Sequence, residues 1–584
     1  MQKSKRIFHA SLLISAAFFL VMTISPALPN LFIGSASVCA AAFLLIFTEF
    51  DFMQVRISGI WLLLLSASIA ILLCCGFSAL FPAHWAYSSG MERLADIFHC
   101  DRAAFLTVLR WIFAFLSLPF LLSLSYSFLV FLRKSFLSVH LGQALHLCLT
   151  QIKPHALLKA FLSSAAGILC SVLIGTVLLT AVYLLPTDGI EANLKASAPL
   201  LAEEGEYPVL SSLCTGTLDN FTDSYILLKS AESSGSPLTD AMLTKNNSVS
   251  GLSSFFSLTS HYIDGTEFNS VHAYPRYWHG FLIFTKPLLC ITDYAGIRLI
   301  NTFAQILLTT VICILLWKRL SIAHSVSWLL CYLMLMPAAL GKSLQFSSCF
   351  YVFSLAVLAL LLYFSDQAGA AVKAEAIFLF TGIFLAYFDF LTYPIATFGI
   401  PAVVYTALNR SRVEQKLADL FRVFLFWCLG YGGMWSSKWI LASILTDENV
   451  IADALHSVSV RTSGASTGGT VSYSIFGCIG QNFSLFFSSI FTVFLVLFSL
   501  ILLIRMRKRF HGKIENVFPA ASPLPYILLS LLPILWYSFT VNHSTIHSFF
   551  TNKACAVSAL AVLFGLSDLY CSSVRGIFIA SPED

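Results

Sequence analysis

Charged residues are scarce in this 584-residue chain, with Asp, Glu, Lys and Arg together making up only 11%. Motifs of several common enzyme classes are absent as well. There is no Walker sequence, no HExxH and no paired CxxC, which argues against an ATPase, a zincin or a paired-cysteine zinc site of those types. The 15 cysteines lie mostly inside apolar runs, as at Cys74, Cys75, Cys170, Cys331 and Cys428, without the short paired spacing of zinc or haem sites. No repeat of fixed period is present, so a solenoid is not indicated. The formal charge of +5 carries little information by itself, because in a chain this apolar the placement of Lys and Arg matters more than their sum.

What the chain has in abundance is apolar surface. Hydrophobic residues make up 58% of it, 53 residues are Phe, and the mean hydropathy is +0.83, whereas soluble domains are about 45–50% apolar. The fold class expected is an all-α polytopic membrane protein. A bilayer core about 30 Å thick needs about 20 apolar residues per helix, and about fourteen such windows can be laid down. They cover 8–26, 31–48, 58–80, 105–132, 157–185, 296–316, 322–340, 347–365, 375–392, 395–408, 419–443, 483–504, 524–540 and 554–571. The KSKR start followed by an apolar run reads as an uncleaved first span, since no convincing cleavage site follows.

Sidedness follows from the basic residues. With Lys3, Lys5 and Arg6 inside, alternate loops carry Arg133–Lys134 with Lys153, Lys318–Arg319, Arg410 with Arg412, and Arg505 through Lys513. The segment 186–290, with eleven acids against five bases, then falls outside, as does 444–482. Both termini are expected in the cytoplasm of a multi-pass plasma-membrane protein. The chain divides into a four-span prefix (1–156), a core (157–443) holding the large external loop 186–290, and a C-terminal part (444–584).

Polar residues gather on the expected outer side. LDNFTD (218–223) sets Asp219 and Asp223 four residues apart, on one face if helical. Two close acids are suited to base work, and Asp219 or Asn220 is equally suited to capping a helix. In YFDFLTYP (387–394), Asp389 interrupts an apolar run. An acid within a membrane segment is a functional candidate, or a structural one bonded to Thr392 where Pro394 breaks the helix. YPRYWHG (274–280) closes the acidic loop. Tyr274, Tyr277 and Trp278 suit the headgroup level, Arg276 suits bidentate phosphate contact or a loop salt bridge, and His279 adds a hydrogen-bond donor. Lys342, Lys438, His543 and His547 lie at outer helix ends, where snorkelling is the simpler explanation. Arg461 stands at the base of the Gly/Ser/Thr-rich stretch 461–474, which reads as a linker or a substrate lid.

This arrangement resembles the GT-C superfamily, polytopic glycosyltransferases that use polyprenyl-phosphate-linked sugars on the outer face of a membrane. In that superfamily a large outer loop after an early span contributes an acidic catalytic residue. The resemblance implies a catalytic role for Asp219 or Asp223, with Asp188 a weaker candidate. It places Arg276, Tyr277, His279, Asp389 and Lys438 around the donor. Four spans precede the loop-bearing helix here, where the family commonly has one. The expected partners are a polyprenyl-phosphate-linked sugar donor, a glycan or protein acceptor and membrane lipids, with no nucleic acid. No cofactor is required, and a divalent metal is compatible. The competing readings are a lipid-linked oligosaccharide flippase or transporter, which needs a polar path at the midplane, and an O-antigen-type polymerase or ligase.

The topology has a direct check: a cysteine introduced at residue 235 should react with membrane-impermeant maleimide added from outside. Reaction from the cytoplasmic side alone would overturn the sidedness and the outer-face enzyme with it.

Overall fold

The computed structural model describes residues 154–211, 216–364, 370–463, 473–510 and 522–575. The four windows of the N-terminal prefix, the basic residues before 154, the stretch 464–472 and part of the basic loop 505–513 lie outside the described residues.

The described chain is mostly helical. Its helices are α1 (Pro154–Val182), α2 (Asp188–Glu204), α3 (Asn220–Ala231), α4 (Pro237–Leu243), α5 (Ser254–Thr259), α6 (Leu282–Leu289), α7 (Tyr294–Arg319) and α8 (Ile322–Met334). There follow α9 (Pro337–Lys342), α10 (Leu344–Tyr363), α11 (Ala370–Phe388), α12 (Ile395–Leu408), α13 (Val413–Leu445), α14 (Val450–Thr462), α15 (Ile475–Phe487) and α16 (Phe491–Phe510). The last are α17 (Leu524–Ser530), α18 (Leu532–Phe539), α19 (Val541–Ile546), α20 (Ser548–Thr551) and α21 (Ala556–Arg575). Strands β1 (Asn246–Ser248) and β2 (Ser270–His272) pair antiparallel, with Asn247 opposite Val271. The segment 186–290 is therefore mixed, as expected.

Every apolar window from 157 onward falls on helix, but fewer helices than windows have the length to cross a bilayer. Lys159–Val182, Tyr294–Arg319, Leu344–Tyr363, Val413–Leu445 and Ser548–Ser572 qualify, and the bent pair Ile475–Phe487 and Phe491–Arg505 brings the count among the described residues to six. The shortfall has local causes. The window 322–340 is cut at Met336, whose φ of +61° is followed by Pro337. The window 524–540 is broken between Ser530 and Leu532, just before Pro533. The 14 residues of α12 extend only about 21 Å.

Packing follows an inside-out pattern. On α7, Leu299, Phe303, Ile306, Leu307 and Ile314 are exposed, while Arg298, Asn301, Gln305 and Thr309 recur every three or four residues on the buried face. Apolar side chains facing outward and polar ones turned into the bundle are what a lipid surrounding selects. Helix α12 is apolar all round and sits inside the main core with Phe346, Phe378, Trp427 and Phe564. That core takes residues from both sides of position 443. The segment 186–290 has a smaller core of Ile190, Leu194, Leu201, Leu227, Phe255, Leu258 and Leu289, which continues onto Tyr294 and Ile297 of α7.

Helices α11 and α13 touch backbone to backbone. A Cβ on Gly382 would lie 2.2 Å from the Trp427 carbonyl oxygen, and one on Gly430 would lie 2.1 Å from that of Leu379. Small residues permit this approach where burial from water gives no driving force between helices. Gly382→Leu and Gly430→Leu should therefore lower the thermal unfolding midpoint in detergent, by the equivalent of about 1–3 kcal/mol or more. Gly432→Ala, whose Cβ would meet nothing within 4 Å, should be near neutral. Equal effects at all three positions would rule out the backbone contact.

Candidate functional site

The two acids of LDNFTD play different parts. Asp219 caps α3, accepting from Thr222 N and Thr222 Oγ1, both at 2.9 Å. It is buried, and burial raises its carboxyl to about 7 against the opposing pull of the Thr222 bonds. Asp223 is fully buried one turn on. Its carboxylate accepts from Leu344 N at 3.0 Å, Gln345 N at 3.1 Å and Ser343 Oγ at 3.3 Å, and from the Tyr294 hydroxyl. It thus occupies the N-terminus of α10, where free amides and the helix dipole favour an anion. Asp188 begins α2 in its first turn, apart from this knot.

Asp389 reaches the same turn of α10 from the other side. It accepts from Ser348 Oγ at 2.8 Å, and from Thr392 N at 2.8 Å and Thr392 Oγ1 at 2.6 Å in the break between α11 and α12. Asp223 and Asp389 therefore bracket residues 344–348. Against this turn opens a cavity of about 510 Å³ between α6, α7, α10 and α11. Its wall is largely apolar, with Phe281, Phe284, Leu355 and Phe388 among the lining residues, and Ser347, Ser348 and Asn301 supply polar groups.

YPRYWHG forms a buried corner instead of a headgroup anchor. Trp278 is fully buried and its Nε1 donates to Met434 O at 2.7 Å, while the indoles of Trp435 and Trp439 donate to Arg276 O at 2.8 and 3.0 Å. Gly280 N bonds Tyr387 O at 2.8 Å, so close that a Cβ there would lie 2.2 Å from the Tyr387 ring. His279 adopts a φ of +56° and is buried, with Nδ1 near Tyr277 O (2.9 Å) and Thr244 Oγ1 (3.1 Å). Burial, with Lys229 and Lys438 nearby, pushes its imidazole well below the usual range, so it is neutral. Arg276 Nη1 contacts both oxygens of Asp453, at 2.8 and 2.7 Å, and its guanidinium lies over Tyr274. One arm of the fork that suited phosphate, Nη1, is engaged by a carboxylate of α14, and Nε is buried with no hydrogen-bond partner among the described residues.

Lys438 does not snorkel. It is fully buried and donates to Ala241 O at 2.8 Å, while Lys229 donates to Thr244 O, so both ammonium groups cap the C-terminal end of α4. Lys286 treats α3 the same way, through Ser230 O at 2.8 Å. Each cation meets the negative end of a helix dipole. Lys229 and Lys286 carried no signal in the sequence beyond being rare charges.

No family model, curated protein or solved structure matches the chain.

The site's chemistry therefore rests on its own geometry, and one cation stands out. Arg461, at the end of α14, is bound by the hydroxyls of Tyr277 and Tyr274, the latter at 3.4 Å, and among the described residues no carboxylate pairs with it. Its charge, after burial, helps hold His543 and His547 deprotonated, His547 at about 4. His543 Nε2 donates to Leu391 O at 2.8 Å, next to Asp389. The imidazoles lie 4.8 Å apart, and His547 continues through Phe549 (6.4 Å) to Tyr207 (5.7 Å), whose phenol feels the Asp219 charge. Toward the cavity, Tyr277 meets Phe390 at 5.6 Å and Phe390 meets Phe281 at 4.9 Å. The structure thus bonds Asp223 and Asp389 to the first turn of α10, ties Arg461 to Tyr277 and Tyr274, and pairs Arg276 with Asp453 and Lys438 with Ala241 O. Among the described residues no group of three or more His, Cys, Asp or Glu is placed to hold a metal.

The raised carboxyl of Asp219 has a stability consequence of definite sign. Folding lifts it from 3.8 to about 7, so the folded state holds this proton more tightly than the unfolded one. The contribution is complete below pH 3.8 and disappears as pH rises through about 7. Asp219→Asn keeps a capping side chain, and its unfolding temperature should depend less on pH between 5 and 8 than that of the parent protein. Parallel pH profiles would show that the acid is not perturbed.

Proposed function

We propose that the chain is a membrane glycosyltransferase that moves a sugar from a polyprenyl-phosphate-linked donor to an acceptor at the outer face of the membrane. The observation that carries this reading is the largely apolar cavity of about 510 Å³ ending at a polar turn bracketed by two carboxylates. A prenyl chain suits the cavity between the helices, which leaves its phosphate and sugar at the polar end.

The roles divide by what each side chain is free to do. Attack of an acceptor hydroxyl on sugar C1 needs a base whose pKa lies near the working pH, and Asp219, at about 7, meets that need. Asp223 is committed to the α10 N-terminus and serves to position it. Departure of the lipid phosphate needs a cationic donor for the developing charge. Arg461 fits better than Arg276, because phenols are far weaker partners than the Asp453 carboxylate. His543 and His547, neutral beside it, supply hydrogen bonds without added charge.

A flippase is the second reading, favoured by the buried polar stripe Arg298, Asn301, Gln305 and Thr309 along α7. Much of that stripe is internally bonded, as in Asn301 Nδ2 to Ser347 Oγ at 2.7 Å and Arg298 Nη1 to Glu204 Oε1 at 2.7 Å. It therefore ties helices together more than it lines a path. A polymerase or ligase acting on lipid-linked glycans would use the same groups.

Purified protein given a panel of polyprenyl-phosphate sugars with glycan and peptide acceptors tests the proposal. Asp219→Asn should lower transfer by about 10²–10⁴, and both Arg461→Lys and Arg461→Ala by about 10²–10³, since lysine lacks the planar fork. Arg276→Ala should retain most turnover. Wild-type rates in the Asp219 and Arg461 variants, or donor translocation across vesicles without transfer, would reject the enzyme.

A further inference from the structure

A hydroxyl, an imidazole and a carboxylate stand in line at the far end of α7 from Asp223. The 26 residues of α7 separate the two ends by about 39 Å. Ser321 caps α8, where its Oγ accepts from His324 N at 3.4 Å. The same Oγ lies 2.8 Å from His324 Nδ1. Across the ring, Nε2 is 3.0 Å from Asp568 Oδ1 of α21, and Tyr526 of α17 donates its hydroxyl to Asp568 Oδ2. A carboxylate only accepts, so Nε2 carries a hydrogen, and in the neutral ring Nδ1 presents its lone pair to the Ser321 hydroxyl. A helix cap needs no imidazole fixed by an acid 244 residues away; an activated serine does. The amides of Ile322 and Ala323, the first two of α8, have no carbonyl to bond within the helix and follow Ser321 directly, which suits them to receive an oxyanion.

The depth of this cluster is set by α7, which is long and apolar enough to cross a membrane and ends at Arg319, two residues before Ser321. Trp317 and Lys318 in its last turn are exposed, as expected at the headgroup level. Ile322 and Leu329, seven residues apart on one face of α8, are exposed too, and Ser321 is half-buried. The hydroxyl therefore sits between headgroups and an apolar face, at the level where a glycerolipid carries its acyl ester bonds. A hydrocarbon chain gains from the apolar face, whereas a small polar ester does not.

From this geometry we infer that Ser321 is a nucleophile for the acyl ester bonds of glycerolipids, with His324 as its base and Asp568 as the group that positions the imidazole. His324 Nδ1 takes the hydroxyl proton as Ser321 Oγ attacks the ester carbonyl carbon. The new O–C bond forms, the bond from that carbon to the glycerol oxygen breaks, and the glycerol oxygen takes the proton from Nδ1. Water then attacks the acyl-serine, passing a proton through Nδ1 back to Ser321 Oγ and releasing a fatty acid. No oxidation state changes. The groups facing the imidazole fix the pH range: burial lowers its basicity, and the bond to Asp568 with the Cys571 thiol nearby outweighs this and holds it at about 9. The base is thus charged at neutral pH and becomes competent as pH rises toward 9. The inference is independent of the sugar-transfer reading.

The test places the full chain in nanodiscs of palmitoyl-oleoyl phosphatidylglycerol and adds a long-chain alkyl fluorophosphonate, with labelled serines mapped and released fatty acid measured by mass spectrometry. Ser321 should be labelled in preference to other serines, at least about tenfold faster at pH 9 than at pH 7, and fatty acid should be released with the same pH profile. Ser321→Asn keeps a capping side chain without the hydroxyl and should lose fatty-acid release. His324→Gln should slow labelling by about 10²–10⁴; if it does not fold, Asp568→Asn should show a slowing of about 10² or more. Labelling of Ser321 no faster than that of other serines, or undiminished labelling in whichever of the last two variants folds, overturns the activated serine and leaves Ser321 as a helix cap. Labelling of Ser321 with no fatty acid released from the glycerolipid overturns the lipid-ester assignment.

Discussion

One buried carboxylate joins the segment 186–290 to helices α7 and α10. Asp223, projecting from α3, takes the first free amides of α10 and the Tyr294 hydroxyl at the start of α7. An unpaired anion at that depth would be costly, and unfilled amides at a buried helix start would be costly as well. Each removes the other's penalty, so the segment 186–290 cannot shift against α7 and α10 without exposing both. The cavity, the Asp389 turn and the cap at Asp219 all take their positions from this knot.

The same economy of charge recurs in the buried lysines. Lys229, Lys438 and Lys286 do not meet acids; they meet the carbonyl ends of α3 and α4. Arg276 does meet an acid, Asp453, and so joins α14 to the YPRYWHG corner, while the neighbouring Arg461 has only phenols. In an apolar surrounding the partner of a cation decides its role: a full carboxylate makes a tie, and a phenol leaves a charge available to an incoming anion.

Much of the molecule was legible from composition and periodicity. The apolar windows from 157 onward are helices, and segment 186–290 folds as a mixed unit with its own small core. The polar stripe of α7 could have been found from its spacing, which places Arg298, Asn301, Gln305 and Thr309 on one face. Span length was less legible, because breaks at Met336 and before Pro533 shorten runs whose hydropathy alone looks continuous.

The sequence by itself determined that the apolar windows from 157 onward would be helices, that rare charges would gather near helix ends, and that LDNFTD could begin a helix capped by Asp219 or Asn220. Those outcomes depend on local chemistry: transfer of side chains into lipid, a period of about 3.6 residues, and free amides at a helix start. Only the tertiary structure decided that Asp223 is buried at another helix's N-terminus, that Trp278 lies in the interior, and that Arg276 is paired while Arg461 meets only phenols. Each of these depends on a partner distant in the chain, 121 residues away for Leu344 and 177 for Asp453. Such partners are brought together by packing, which a single strip of residues does not contain.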